Sequence, residues 1–339
     1  MELIERLKNK AKADPKKIIL PESEDLRILK AAELSLKEGI AIPVLLGRRE
    51  IIEKIAYNHK ISLNGIEIIE PTNSQNFDNY VLSYHKMRNI PLKVAKRIIQ
   101  KPINFGLMSI KQGDADGMVA GVAHTTEEII MSSELIIGME KNMKTPSSFF
   151  LMHIPGYPGG ENGHFLFADC ALNPDPTPEQ MADIAIATAN SAKTLFNWEP
   201  RVAMLSFSTK GSASHPAVDK VVKAVEIVKK KATNLLVDGE LQADAAIDPL
   251  VAQCKIKGES QVAGKANILI FPDLNSGNIA YKLVQRLAKA YAYGPFLQGF
   301  AKPVSDLSRG ATVDDIVGTI ALIVVKAQSD KISERSNDY

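Results

Sequence analysis

Cysteine is scarce in this chain. Only Cys170 and Cys254 occur among 339 residues, far apart and in no metal-ligand spacing. That excludes a disulfide-stapled scaffold and a paired-cysteine zinc site. Both read as small buried residues of a reducing compartment, with a catalytic thiol left open. Long apolar runs are also missing: the longest, "IVGTIALIVV" at 316–325, falls well short of the ~20 residues that span a bilayer. The N-terminal "MELIERLKNKAKADPKK" has helical periodicity and mixed charge, without the apolar centre and small-residue cleavage site of a signal peptide. Nor does one charge dominate, since 41 basic and 39 acidic side chains give a net +2. That balance calls for neither nucleic acid nor a membrane surface as partner. Together these absences describe a cytoplasmic protein.

Familiar motifs are absent too. There is no G-x-x-x-x-G-K-[ST] phosphate loop, no H-E-x-x-H and no G-x-S-x-G elbow. The glycine-rich "GYPGGENG" sits in a turn, not between a strand and a helix as a dinucleotide fingerprint would. The six histidines are scattered and read as surface or core residues.

What is present is ordinary globular composition, 45% hydrophobic and 24% charged, in a length that suggests two domains at ~150 residues each. Short apolar strands alternate with amphipathic helices, which predicts a mostly parallel α/β architecture. Strands are expected at 17–22, 41–47 and 115–121, each followed by a helix. Near residue 145 the texture changes. In "SFFLMHIPGYPGGENGHFLFADCALNP" two strand-like runs flank a Pro/Gly turn, a predicted hairpin. Thr177, Pro178 and Gln180 then fit the N-cap, N1 and N3 positions of a capping box. Alternation resumes, with a last strand expected at 294–300. The final helix, 313–328, is apolar almost all round, so it belongs against a sheet or a neighbouring subunit.

Polar clusters mark several strand ends, where parallel α/β proteins bind ligands. "SFSTKGSASHP" (206–216) has hydroxyls, Lys210 and Gly211 in a loop that suits a phosphate cradle or a capped, flexible turn. "DGELQADAAID" (238–248) carries Asp238, Glu240, Asp244 and Asp248, fit for Mg²⁺ or for an acidic helix entrance. In "FPDLNSGNIAYKLVQR" (271–286), Lys282 and Arg286 share a helix face suited to a ligand's negative groups or to solvent. "DLSRGATVDDIVG" (306–318) begins a helix, with Thr312 and Asp315 as a T-x-x-D capping pair. The pair leaves Ser308, Arg309 and Gly310 unexplained, and a cation beside a glycine at such a junction suits an oxyanion or phosphate.

These segments, with "ADGMVAGVAHTT" (115–126) and "LFADCALNPDPTPEQMADIAIATA" (166–189), resemble the phosphotransacetylase (phosphate acetyltransferase) family along nearly the whole chain. The resemblance implies two α/β domains with mostly parallel sheets flanking a cleft, an isocitrate dehydrogenase-like fold. Residues 1–145 with 301–339 would form one domain and 146–300 the other. It implies reversible acetyl transfer between acetyl-CoA and phosphate, directly in a ternary complex of a homodimer. No metal or other cofactor is implied; CoA and acetyl-CoA are substrates. Asp315 matches the base that takes the thiol proton, Arg309 the arginine that holds phosphate or the acyl oxygen, and Ser308 a hydroxyl on the tetrahedral charge. Thr125, Ser206, Ser208, Asn275, Ser276, Lys282, Arg286 and Arg88 are the expected CoA- and phosphate-binding residues.

The chain departs from the family pattern twice. Met131 stands where an arginine is often found, and "SYHKMRNIP" at 83–91 replaces a more basic segment, with Arg88, His85 or Lys86 to supply the charge. Other readings are a transferase for longer acyl chains, a metal- and NAD-dependent decarboxylating dehydrogenase, and a non-catalytic binder of acetyl phosphate or CoA.

Overall fold

The computed structural model describes residues 2–141 and 143–337. The chain divides into two compact units, Met1–Lys141 with Phe300–Tyr339, and Asn142–Gly299.

The first unit is built on a five-stranded parallel sheet. Its strands are β1 (Lys16–Leu20), β2 (Ala41–Leu46), β3 (Glu67–Ile69), β4 (Gly117–Ala120) and β11 (Val304–Asp306), in the order β11-β4-β1-β2-β3. Strands covered on both faces read as continuous apolar runs, and "IIL" of β1 and "GMVA" of β4 are buried throughout. The helix Val313–Asn337 packs on β1 and β4 and on the helices Glu2–Lys12 and Leu26–Lys37. Its residues Ile316, Val317, Ile320 to Val325 are buried at each position, so the near-uniform apolar surface is covered within this unit. Each such aliphatic side chain contributes roughly 1.5–3 kcal/mol by leaving water. Gly117 lets the helix close on the sheet, because a Cβ there would lie 2.5 Å from Ile323 Cγ2.

One feature differs from the sequence reading. The strand that leads into Ser308 is the three-residue β11, paired with β4 so that Asp306 faces Ala120. It is too short, and too close behind Pro303, to announce itself by pattern. The segment 83–91 is largely helical: Phe77–Arg88 forms a helix that Asn89 ends in the left-handed region at φ 50°.

The second unit holds a six-stranded sheet of β5 (Ser147–His153), β6 (His164–Ala168), β7 (Arg201–Leu205), β8 (Leu236–Leu241), β9 (Ile268–Ile270) and β10 (Tyr291–Gln298), in the order β10-β5-β6-β9-β7-β8. β6, β9, β7 and β8 are parallel, whereas β5 runs antiparallel to β6 and β10. β5 and β6 are the expected hairpin. The capping box is formed as well: Gln180 N–H donates to Thr177 Oγ1 at 3.3 Å and Thr177 N–H to Gln180 Oε1 at 2.9 Å.

Candidate active site

At the carboxyl edge of the first sheet, the ends of β11, β4 and β1 lie side by side. Glu22 follows β1 by two residues and is buried. Its Oε2 accepts N–H groups from Gly121 at 2.7 Å and Val122 at 2.9 Å. Its Oε1 accepts those of Ala123 at 2.9 Å and His124 at 2.8 Å, and His124 Nδ1 lies 2.8 Å from the same oxygen. Four consecutive amides converging on one point form an anion-binding nest. Here the chain's own carboxylate fills it.

Asp306, the last residue of β11, is 1% exposed. Its Oδ2 accepts from Thr126 Oγ1 at 2.5 Å, whereas Oδ1 is buried without a hydrogen-bond partner among the described residues. Burial, opposed by the Thr126 hydroxyl and by the nearby Leu307 N–H and abetted weakly by the charge of Glu22, pushes its carboxyl up to about 7. Gly121, at φ 121°, makes this packing feasible: a Cβ there would sit 2.1 Å from Asp306 Oδ1.

The turn after β11 presents Ser308, Arg309 and Gly310 to solvent. Ser308 Oγ accepts the Gly310 N–H at 3.3 Å. The turn is held from outside by Arg27, whose Nη1 donates to the carbonyls of Arg309 at 2.8 Å and Ala311 at 3.0 Å. Asp25 fixes Arg27 in return, accepting from Nε at 3.0 Å and from Nη2 at 2.8 Å. That hydrogen bonding lowers the Asp25 carboxyl and raises the Arg27 guanidinium from their ordinary values. The side chain of Arg309 has no hydrogen bond or ion pair among the described residues, so its charge remains open to a ligand.

Thr312 and Asp315 form the predicted cap. Asp315 Oδ2 accepts from Thr312 N at 2.9 Å and Thr312 Oγ1 at 2.8 Å, while Asp315 N–H donates to Thr312 Oγ1 at 3.2 Å. The cap engages Oδ2 alone. Oδ1 of Asp315 carries no hydrogen bond among the described residues. The aspartate is therefore a helix cap with one oxygen in reserve.

Thr125 is the N-cap of the helix Thr126–Ile136, accepting the Glu128 N–H at 3.3 Å. Beside it His124, Met131, Leu135, Lys101 and Pro102 line a groove of about 530 Å³. Met131 lies exposed along this groove, and Arg88 is exposed at the end of its own helix.

The remaining expected residues belong to the second unit. In the loop after β7, Ser208 is buried, and its hydroxyl donates to Glu240 Oε1 at 3.0 Å while accepting the Ala213 N–H at 3.1 Å. Gly211 N–H also donates to Glu240 Oε1, at 2.6 Å. The anion these donors hold is thus Glu240, in a loop that the sequence left open between a phosphate cradle and a capped turn. Ser206 Oγ accepts from Ser208 N at 3.2 Å. Asp238 binds Lys210 and Ser260, Asp244 binds Lys255, and Asp248 caps the helix Pro249–Lys255. The acidic run is dispersed over separate partners. Among the described residues no group of three or more His, Cys, Asp or Glu could hold a metal ion.

Asn275 and Ser276 lie in the first turn of the helix Leu274–Leu287, where Asp273 accepts the Ser276 N–H at 2.8 Å. On the same helix Lys282 Nζ sits 5.0 Å from the centre of the Tyr281 ring, and Arg286 is exposed. Cys170 is buried, and burial together with the nearby Asp169 charge pushes its thiol well above the ordinary range. That thiol stays protonated at neutral pH and is a poor nucleophile.

The sequence reading missed Glu22, Arg27, Thr126 and Asp306. Glu22 does leave a trace, as a carboxylate two residues after the apolar strand β1, whereas Asp306 ends a strand of three residues that carries no pattern. Arg27 leaves none, because its carbonyl partner Arg309 is 282 positions away.

Comparison with known proteins agrees along the chain. Residues 2–324 match the family described as Phosphate acetyl/butaryl transferase. A phosphate acetyltransferase of Thermoanaerobacterium thermosaccharolyticum is 51% identical over 331 residues, covering 97% of this chain and 100% of its own. One of Acetivibrio thermocellus is 46% identical over 331 residues, with 97% and 99% covered. A solved phosphotransacetylase from Streptococcus pyogenes superposes with a TM-score of 0.91 at 39% identity, over 96% of this chain and 98% of that one.

Proposed function

This chain belongs to the Phosphate acetyl/butaryl transferase family, and on that premise we propose that it is a phosphate acetyltransferase of acetate metabolism, moving acetyl reversibly between acetyl-CoA and inorganic phosphate. The observation that carries the site is the Arg309 guanidinium, exposed and unpaired among the described residues, on a turn whose carbonyls Arg27 holds.

In the direction of acetyl-CoA, the thiol proton of CoA passes to the open Oδ1 of Asp315 as sulfur attacks the acetyl carbon of acetyl phosphate. The carbonyl pair moves onto oxygen, and the tetrahedral species collapses with loss of the C–O bond to phosphate, whose departing oxygen takes the proton back from Asp315. Arg309 holds the phosphate oxygens through paired N–H donors. Ser308 O–H, otherwise free to rotate, donates to the oxyanion. The reverse reaction has phosphate oxygen as nucleophile and CoA sulfur as leaving group. The acyl group passes directly between bound substrates, so the benefit lies in orientation. Apart from the proton carried in transit by Asp315, each bond made or broken belongs to CoA, acetyl or phosphate, and no metal or further cofactor is assigned.

Asn275, Ser276, Lys282 and Arg286 are assigned to CoA, and Thr125, Arg88 and Ser206 to CoA or phosphate. Ser208 contributes through loop shape, since its hydroxyl is spent on Glu240. Exposed Ile279, Leu283 and Leu287, spaced four apart on one helix, continue toward exposed Tyr291 on the edge strand β10. Such a stripe suits a second copy, which supports a homodimer. The unpaired Cys170 and Cys254 suit the reducing cytoplasm.

Thiol release from acetyl-CoA in phosphate buffer tests this reading. Phosphate-dependent release that falls by about 10²-fold or more in Arg309→Ala is expected. CoA binding without turnover would overturn it in favour of a non-catalytic binder. Faster turnover with butyryl-CoA would redirect it to a longer acyl chain.

A further inference from the structure

The turn that carries Ser308 and Arg309 is fixed on both flanks. Arg27 holds the carbonyls of Arg309 and Ala311, and before the turn stands Asp306, tied to Thr126. Nothing in the mechanism above uses that second tie. Yet it is costly: Asp306 is buried, and its Oδ1 has no hydrogen-bond partner among the described residues. An asparagine would occupy the same space without placing a charge beside Glu22. A carboxyl kept there at a loss of stability needs a purpose that packing does not supply.

We propose that Asp306 is a positioning residue for acetyl transfer, tying the start of the helix Thr126–Ile136 through Thr126 Oγ1 to the turn that presents Ser308 and Arg309. The proposal rests on the function inferred above. Asp306 itself touches no substrate: it is buried, with Gly121 packed against its Oδ1. It acts along the chain, standing two residues before Ser308, and across the sheet edge through Thr126, which follows the N-cap Thr125. Loss of the tie frees the helix entrance from the turn, and small misplacements of reacting groups cost rate steeply.

An ionised carboxylate accepts a hydroxyl hydrogen bond more strongly than a neutral acid. With its titration lifted to about 7, the tie tightens as the pH rises through that value. The charged groups at the near ends of the elements around it are Glu22 after β1, His124 after β4, Glu127 and Glu128 in the first turn of the helix Thr126–Ile136, Arg27 in the first turn of the helix Leu26–Lys37, Lys302 before β11, Arg309 in the turn, and Asp314 and Asp315 beyond it. Histidine is the other side chain that ordinarily titrates in this range. It remains in place when Asp306 alone is changed, which separates the two.

The test is steady-state kinetics of the full chain from about pH 5.5 to about pH 9, a range that brackets a carboxyl near 7. Wild type, Asp306→Asn, Thr126→Val and Thr126→Ser are compared. Asp306→Asn and Thr126→Val are expected to lower kcat about tenfold or more while KM for CoA and phosphate moves less than about threefold, and Thr126→Ser to restore most of the rate. The acid limb of wild-type kcat, with a midpoint of about 7, should flatten in Asp306→Asn. Thr126→Val keeps the side-chain shape and loses only the hydroxyl, so it carries the test should Asp306→Asn fail to fold. A wild-type kcat in Thr126→Val, or an unchanged acid limb in folded Asp306→Asn, overturns the positioning role alone. A wild-type protein that releases no thiol overturns the transferase function first, and the positioning role with it.

Discussion

Arg27 and Arg309 meet backbone to side chain: the guanidinium of Arg27 donates to the carbonyl of Arg309 at 2.8 Å, and from the same nitrogen to that of Ala311 at 3.0 Å. One arginine thereby positions the other, leaving the charge of Arg309 free. Arg27→Ala removes both bonds and takes from Asp25 its guanidinium partner, leaving it only the backbone N–H of residue 27, which should cost roughly 1–3 kcal/mol of stability. It should also lower kcat about 10- to 100-fold, because the turn loses its fixed approach. Arg27→Lys should rescue little, since an ammonium cannot serve two carbonyls and a carboxylate in a planar fork. Kinetics with a parallel urea titration checks this, and a wild-type kcat in Arg27→Ala would remove the turn's rigidity from the account.

Asp315 is asked to be a cap through Oδ2 and a base through Oδ1. The two roles separate by changing the cap partner. Thr312→Ala removes the hydroxyl half of the capping box and should cost about 1 kcal/mol, with kcat falling less than about threefold. Asp315→Ala removes both roles and should cost a similar stability but about 10²-fold or more in kcat. Equal activity in the two variants would reduce Asp315 to a cap.

How much of this was legible in the sequence follows from the range of each interaction. The helix starting at Thr177 and the cap at Thr312 and Asp315 are set by residues three apart, and both are formed as read. The β5–β6 hairpin likewise declares itself through its turn. β11 did not, because three residues after a proline carry no period, and its pairing with β4 is decided by a strand nearly two hundred positions earlier. The loop at 206–213 stayed ambiguous for a related reason. Its hydroxyls and amides are what a phosphate would need, but Glu240 reaches them from the neighbouring strand β8. Donor-rich loops reveal that an anion is held. Whether the anion belongs to a substrate or to the chain depends on a long-range contact.

Glu22 makes the same point for the loop at 121–124. Glu22→Gln keeps the shape but replaces one accepting oxygen with an NH₂ group, which then faces the N–H groups that this oxygen held. Donors facing donors in a buried site should destabilise the fold by roughly 3–5 kcal/mol. The urea midpoint should fall accordingly, and amide exchange should speed up at Gly121 to His124 before it does elsewhere in the sheet. Wild-type stability in Glu22→Gln would mean that the loop is held by packing alone.

Asp306 offers the opposite outcome, a substitution that stabilises. An unfolded aspartate titrates near ~3.9, and burial lifts Asp306 in the folded chain to about 7. The folded state therefore binds the extra proton between those values. The stability from this site is fully present below about pH 4 and is lost as the pH rises through about 7. Asparagine has no such dependence. Asp306→Asn should accordingly gain on wild type as the pH rises from about 5 to about 8.5, by a margin on the order of 2–3 kcal/mol. Urea titrations at the two pH values measure the margin directly. A constant difference would mean that Asp306 titrates as an ordinary carboxyl. If the gain appears together with the expected fall in kcat, wild type keeps at this position a charge that opposes folding and serves the reaction.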